Sequence, residues 1–142
     1  NVGKSTLLSK LTTSTPEINS YAFTTKKLNV GYMKKSYNKI QLIDTPGTLN
    51  RVEKMNSVEI QAYLAMRYVA DSILFVIDLT ETYPIEKQKK LYDNVKKLHK
   101  PIFVYLSKQD ILEKEEIESF VKENKSYNFL SFEELKDFKF LK

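Results

Sequence analysis

The run Asn1-Val2-Gly3-Lys4-Ser5-Thr6 matches the second half of the phosphate-binding pattern G-x-x-x-x-G-K-[ST]. Each residue type has a physical reason to be there. Gly3 lets the backbone approach an anion closely. The unpaired N–H groups at a following helix start face that anion, and the helix dipole favours it. Lys4 would reach the β- and γ-phosphates, and the Ser5 hydroxyl would bind Mg²⁺. Taken alone, so short a string is equally a Lys-bearing helix start.

A second set, Asp44-Thr45-Pro46-Gly47, follows an apolar stretch and lies 40 residues after Lys4. Asp44 would hold Mg²⁺ through a water, and the Gly47 N–H would bond a γ-phosphate, whose loss would release the loop beyond. A Pro-Gly turn after a strand is otherwise commonplace. A third set, Ser107-Lys108-Gln109-Asp110, follows another apolar stretch. P-loop GTPases read N-K-x-D at this point. The Asp110 carboxylate would accept from guanine N1–H and the 2-amino group, with the Lys108 stem along the base. Ser107 replaces Asn, so the Asn contact is weakened while Asp110 retains guanine preference. Thr25, with Thr24 in reserve, lies in the polar loop between the first helix and the first strand. There its hydroxyl and backbone would meet Mg²⁺ and the γ-phosphate. Ser131 would contact guanine O6 through its backbone. The GTP-binding set is therefore Asn1, Val2, Gly3, Lys4, Ser5, Thr6, Asp44, Gly47, Ser107, Lys108, Asp110 and Ser131. Its metal ligands are Ser5, Thr25 and Asp44.

These residues need a scaffold. Leu7, Leu8 and Leu11 have helical spacing over 4–12. Residues 13–25 read as loop. Strand-like stretches at 26–33 and 38–43 flank a polar turn and form a hairpin. Residues 57–70 read as a helix starting near Ser57. The runs 72–78 and 101–107 are continuously apolar, as in strands buried on both faces. Helices are expected at 85–98, entered through Pro84, at 113–124, and at 132–141, with a short strand at 127–131. Alternating strands and helices imply an α/β fold. It is a mostly parallel sheet flanked by helices, with one antiparallel hairpin at an edge. Ligands then bind at the carboxyl ends of the strands, where all three motifs fall. Because the chain opens on Asn1 inside the phosphate turn, residues 1–142 read as one GTPase domain. It is truncated at its N-terminus within the P-loop, with the first strand missing from the fragment.

The 142 residues contain no Cys and one His, His99, which excludes a disulfide framework and makes a His-based metal site or triad improbable. No apolar run reaches the roughly 18–20 residues that cross a bilayer. The formal net charge is +5, carried unevenly: residues 1–110 hold +7 and residues 111–142 hold −2. A basic excess permits contact with nucleic acid or nucleotide phosphates, but on charge alone a solvated Lys surface is the favoured reading. Arg51, in the second switch loop, could touch a partner, Arg67 reads as structural or surface, and Tyr63, Tyr68 and Tyr92 read as core or rim. His99, at a helix end, is assigned no chemistry.

Beyond the three motifs, Tyr21-Ala22-Phe23-Thr24-Thr25-Lys26 and Asn29-Val30-Gly31 resemble the switch segment of the Obg-like GTPases. The run from Ile43 through Gln61, Asp78-Leu79-Thr80-Glu81 and Ile85-Glu86-Lys87-Gln88 resemble the Nog subfamily, the nucleolar GTP-binding proteins and their archaeal relatives. The likeness covers roughly residues 1–112. It implies a GTP-hydrolysing switch in large ribosomal subunit assembly, with pre-ribosomal particles and rRNA as partners. The location would be nucleolar in a eukaryote and cytoplasmic in an archaeon. Many GTPases orient the attacking water with a Gln just after D-x-x-G; Thr48 stands there, so intrinsic hydrolysis is expected to be slow. Asn1 sits where potassium-assisted relatives carry an Asn, so K⁺ is a possible cofactor beside Mg²⁺. The catalytic set is then Lys4, Thr25, Gly47 and Asn1. The rival readings are a binding module with little or no hydrolysis and an ATP-using P-loop enzyme.

Overall fold

In the computed structural model, residues 3–12, 17–20, 27–35, 38–44, 60, 63, 67–80 and 84–137 are described. The chain divides into two compact units, Lys4–Ala70 and Asn1–Gly3 with Asp71–Lys142.

In the first unit, helix α1 (Lys4–Leu11) precedes strands β1 (Glu17–Ser20), β2 (Lys27–Lys35) and β3 (Asn38–Ile43). They form one antiparallel sheet in the order β1-β2-β3. The β2–β3 hairpin pairs Val30 with Ile43 and Lys35 with Asn38, close to the expected arrangement. The strand β1 corrects the expectation of loop throughout 13–25. Its Glu-Ile-Asn-Ser sequence has little strand propensity of its own. Pairing with β2, Glu17 to Val30 through Ser20 to Lys27, supplies the order. Leu7, Leu8 and Leu11 of α1 are buried, as is Met33 of β2. Gly31 admits the end of α1: a Cβ there would fall 2.1 Å from Thr12 Cγ2 and 3.3 Å from Leu8 Cδ1. Residues 60, 63, 67 and 68 are helical, as expected; the start near Ser57 lies outside the described residues. Tyr68, expected at core or rim, is 67% exposed, with the Arg67 guanidinium 5.6 Å from its ring centre.

In the second unit, β4 (Ile73–Asp78), α2 (Ile85–Lys96) and β5 (Ile102–Ser107) form a β-α-β run. The two strands pair in parallel, Ile73 with Ile102 through Asp78 with Ser107. Ile77 and Val104 are completely buried, and Phe75, Val76, Ile102 and Leu106 nearly so. Continuous apolar sequence is what such a ladder requires. Helix α2 buries Gln88, Tyr92 and Val95 on one stripe. The ring of Tyr92 meets Phe75 edge-on at 5.5 Å and Tyr127 at 4.2 Å, so it is a core residue as expected. Helix α3 (Lys114–Glu123) carries Glu115 and Glu116 in its first turn, where the dipole favours acids.

The expected strand at 127–131 is a single parallel bridge between Phe129 and Val104. Val104 N–H donates to Asn128 O at 2.8 Å, and Leu130 N–H donates to Val104 O at 2.9 Å. The ladder stops there because Ser131 begins α4 (Phe132–Lys136) with a capping box.

Candidate functional site

The register of β4 and β5 sets Asp78 directly beside Ser107, where both strands end. Lys108 follows at once. Its backbone is left-handed, with φ 56°, a conformation unfavourable for a residue with a Cβ. Its ammonium Nζ lies 2.7 Å from Asp78 Oδ2. A tight 3₁₀ turn, Gln109–Ile111, comes next. It closes with Ile111 N–H donating to Lys108 O at 3.2 Å. Gln109 Nε2 donates to Leu106 O at 2.7 Å. Asp110 is exposed, near enough for its charge to join burial in raising the Tyr105 hydroxyl above its ordinary pKa.

Ser107 is buried, and its Oγ donates to Ile77 O at 3.3 Å. A Cβ placed on Gly3 would lie 3.3 Å from Ser107 Cβ, and Gly3 has φ 94°. Glycine is needed at that turn for both reasons: positive φ and close approach. The small Ser107 side chain therefore lies against the Gly3 backbone.

In the first unit, Lys4 opens α1. Burial pulls its ammonium below the usual lysine pKa, and the nearby Asp44 carboxylate opposes that shift. A half-buried cation beside the carboxylate that ends β3 is a fitting partner for phosphate oxygens. Asp44 supplies a hard oxygen donor, the kind Mg²⁺ takes alongside phosphate and water. Thr6 is exposed in the first turn of α1. Ser131 Oγ accepts from Glu134 N–H at 3.1 Å, and its own N–H donates to Glu134 Oε1 at 3.1 Å. Its backbone N–H thus already has an acceptor. Asn1, Val2, Thr25, Gly47 and the Ser5 side chain lie outside the described residues, as do Thr24, Thr48 and Arg51.

Three residues of this neighbourhood went unassigned in the sequence. Asp78 is fully buried; Thr80 donates to its Oδ1 through backbone N–H at 2.8 Å and Oγ1 at 2.5 Å. Gln88, buried in α2, accepts from Asp78 N–H at 2.9 Å and donates to Asp78 O at 2.8 Å. The detectable signal was an acid closing a buried apolar strand, which must find partners.

An α/β chain with a Gly-Lys-Ser-Thr helix start, an aspartate ending the hairpin and a Lys-x-Asp turn after a buried parallel strand defines a P-loop GTPase domain. The family described as 50S ribosome-binding GTPase matches residues 1–108. An uncharacterized protein of Methanocaldococcus jannaschii is 50% identical over 121 residues, covering 82% of this chain and 33% of that protein. Nucleolar GTP-binding protein 1 of Saccharomyces cerevisiae is 40% identical over 123 residues, covering 83% of this chain and 19% of that protein. The chain thus spans about a third of the first relative and a fifth of the second. Among solved structures, the G domain of the T. maritima FeoB iron transporter gives a TM-score of 0.70 at 22% identity, covering 96% of this chain and 89% of that one. That likeness concerns the fold. The chain belongs to the 50S ribosome-binding GTPase family. Within it, the chain is a Nog-like member of the Obg group of P-loop GTPases. Among the described residues, no helix is long and apolar enough to cross a membrane.

Proposed function

We propose that this chain is a GTP-hydrolysing switch that serves large ribosomal subunit assembly. The observation that carries the reading is the Lys108–Asp110 turn, held at the carboxyl end of a buried parallel strand. Asp110 reads the guanine donors. Lys4 and the N–H groups opening α1 neutralise phosphate charge, and Gly3 leaves the room that approach needs. Ser5, Asp44 and Thr25 would hold Mg²⁺, which supplies charge neutralisation at the β- and γ-phosphates. The Gly47 amide and Thr25 hold the switch segments to the γ-phosphate and release them after its loss. Asn1 would bring K⁺ to the same phosphates.

Thr48 offers a short hydroxyl in place of an amide, so the unaided rate is slow and a partner or K⁺ raises it. The ribosomal setting is supported by the family description and by the nucleolar relatives. In this reading the partners are pre-ribosomal particles and rRNA, and the location is the nucleolus of a eukaryote or the cytoplasm of an archaeon. The 142-residue chain should bind GDP and ignore ADP in competition. Single-turnover GTP hydrolysis should be slow, faster in K⁺ than in Na⁺, and faster again with large-subunit precursors. Equal competition by ADP would overturn the guanine assignment. Binding without turnover under every condition would leave a nucleotide-binding module.

A further inference from the structure

The buried Asp78, with Thr80 and Gln88, has no place in the phosphate and guanine chemistry above, yet it holds Lys108, which does. The carboxylate has no exposed surface, while the Lys108 side chain is 34% exposed. Its oxygens are held from two directions, Oδ1 by Thr80 and Oδ2 by Lys108. Its backbone is gripped on both polar atoms by the Gln88 amide. Five donor–acceptor contacts thus fix one residue at the end of β4. A buried carboxylate so satisfied is a rigid anchor.

What it anchors is Lys108, whose left-handed backbone is maintained only because its surroundings over-determine it. Beyond Lys108 the chain has little freedom. Gln109 is tied to Leu106 O, and the 3₁₀ turn closes on Lys108 O. The Asp110 backbone position therefore follows from where Lys108 is held.

Resting on the guanine-binding reading, we propose that Asp78 is a positioning residue for nucleotide specificity: through Lys108 it sets the place of the Asp110 carboxylate against the base. Asp78 itself touches no nucleotide. Thr80 and Gln88 serve by holding Asp78.

The distinguishing readout is the ratio of affinities for GDP and IDP. Hypoxanthine keeps N1–H and lacks the 2-amino group, so only a well-placed Asp110 separates the two bases. A general loss of stability weakens both nucleotides alike and leaves the ratio unchanged. The experiment measures GDP and IDP binding by the full 142-residue chain carrying Asp78→Asn, Lys108→Met, and both together. Thr80→Val is the milder variant, retained should Asp78→Asn not fold. Asp78→Asn should lower GDP affinity roughly tenfold, the size expected for a charge-assisted hydrogen bond, and narrow the GDP-to-IDP ratio. Thr80→Val should do the same by a smaller factor. Asp78→Asn should have no further effect once Lys108 is Met. An unchanged ratio in Thr80→Val and Asp78→Asn, or an equal loss with and without Lys108, overturns the positioning role alone. If the unsubstituted chain does not prefer GDP to ADP, the guanine-binding reading itself fails, and this role with it.

Discussion

At the scale of single residues, the Asp78 carboxyl tests how electrostatics and burial divide. Burial alone would raise its pKa, but hydrogen bonds from Lys108 and Thr80, with the Lys108 charge, outweigh it and hold it below the usual carboxylate range. A folded-state pKa below the unfolded value of about 3.9 gives stability that is complete above that value. That stability is lost as pH falls through the folded value. The urea midpoint of the chain should therefore drop between pH 5 and the acid limit, and Asp78→Asn should show a shallower drop. The comparison is read from the slope against pH, because the variant also loses stability at neutral pH by removing the buried negative charge that faces Lys108. Lys4 has the opposite sense. Burial lowers its pKa, so the unfolded chain binds more protons in the alkaline window between its folded value and about 10.4. Stability rises with pH there. A bound diphosphate favours the charged form, so GDP binding in that window should take up a proton. Calorimetry in two buffers of different ionisation enthalpy reads it, and Lys4→Met should abolish it.

At the scale of elements, the end of α1 packs against β2 through a missing side chain. Gly31→Ala would set a methyl 2.1 Å from Thr12 Cγ2, which only a shift of Thr12 or of the strand relieves. The expected cost is about 1–3 kcal/mol, read from the shift in urea midpoint. The end of α2 offers the reverse. His99 has φ 56° and closes the helix with its N–H donating to Lys96 O at 3.2 Å, the position glycine ordinarily takes. His99→Gly should raise stability by about 0.5–1 kcal/mol, and a fall on thermal melting would refute the strain argument. The same elements show what a sequence discloses. The apolar runs ending at Asp78 and Ser107 announced two strands, since burial on both faces leaves no polar alternation. The pairing that sets those two residues side by side was invisible, because register depends on the partner strand. Strand β1 escaped for a related reason: Ser and Asn read as turn until β2 supplies the ladder. Gln88 sits inside a Lys-rich run that carries no sign of burial; its amide bonds both polar backbone atoms of Asp78 at the end of β4. The Lys-x-Asp turn and the Gly-Lys turn were readable because their chemistry fixes residue type and spacing together.

At the scale of the whole molecule, the two units divide the motif residues between them. Lys4 and Asp44 belong to Lys4–Ala70, and Ser107, Lys108 and Asp110 to the remainder. A nucleotide that binds only the folded chain stabilises it by mass action, about 2.7 kcal/mol at a hundredfold excess over Kd. For a chain of 142 residues that energy raises Tm by roughly 8–12 °C. GDP with Mg²⁺ should therefore shift the melting curve by this amount, and the shift should grow with the logarithm of nucleotide concentration. ADP at equal concentration should leave Tm where it was, because adenine presents neither of the donors that the proposed Asp110 contact requires. Two substitutions separate the ends of the nucleotide. Lys4→Ala should remove most of the shift for GDP while leaving the melting temperature of the nucleotide-free chain little changed. It also relieves a buried cation of its desolvation cost. Asp110→Ala, at an exposed position, should shrink the GDP shift without touching the free chain. Equal shifts with GDP and ADP would show that the phosphates alone are bound and would remove Asp110 from the site.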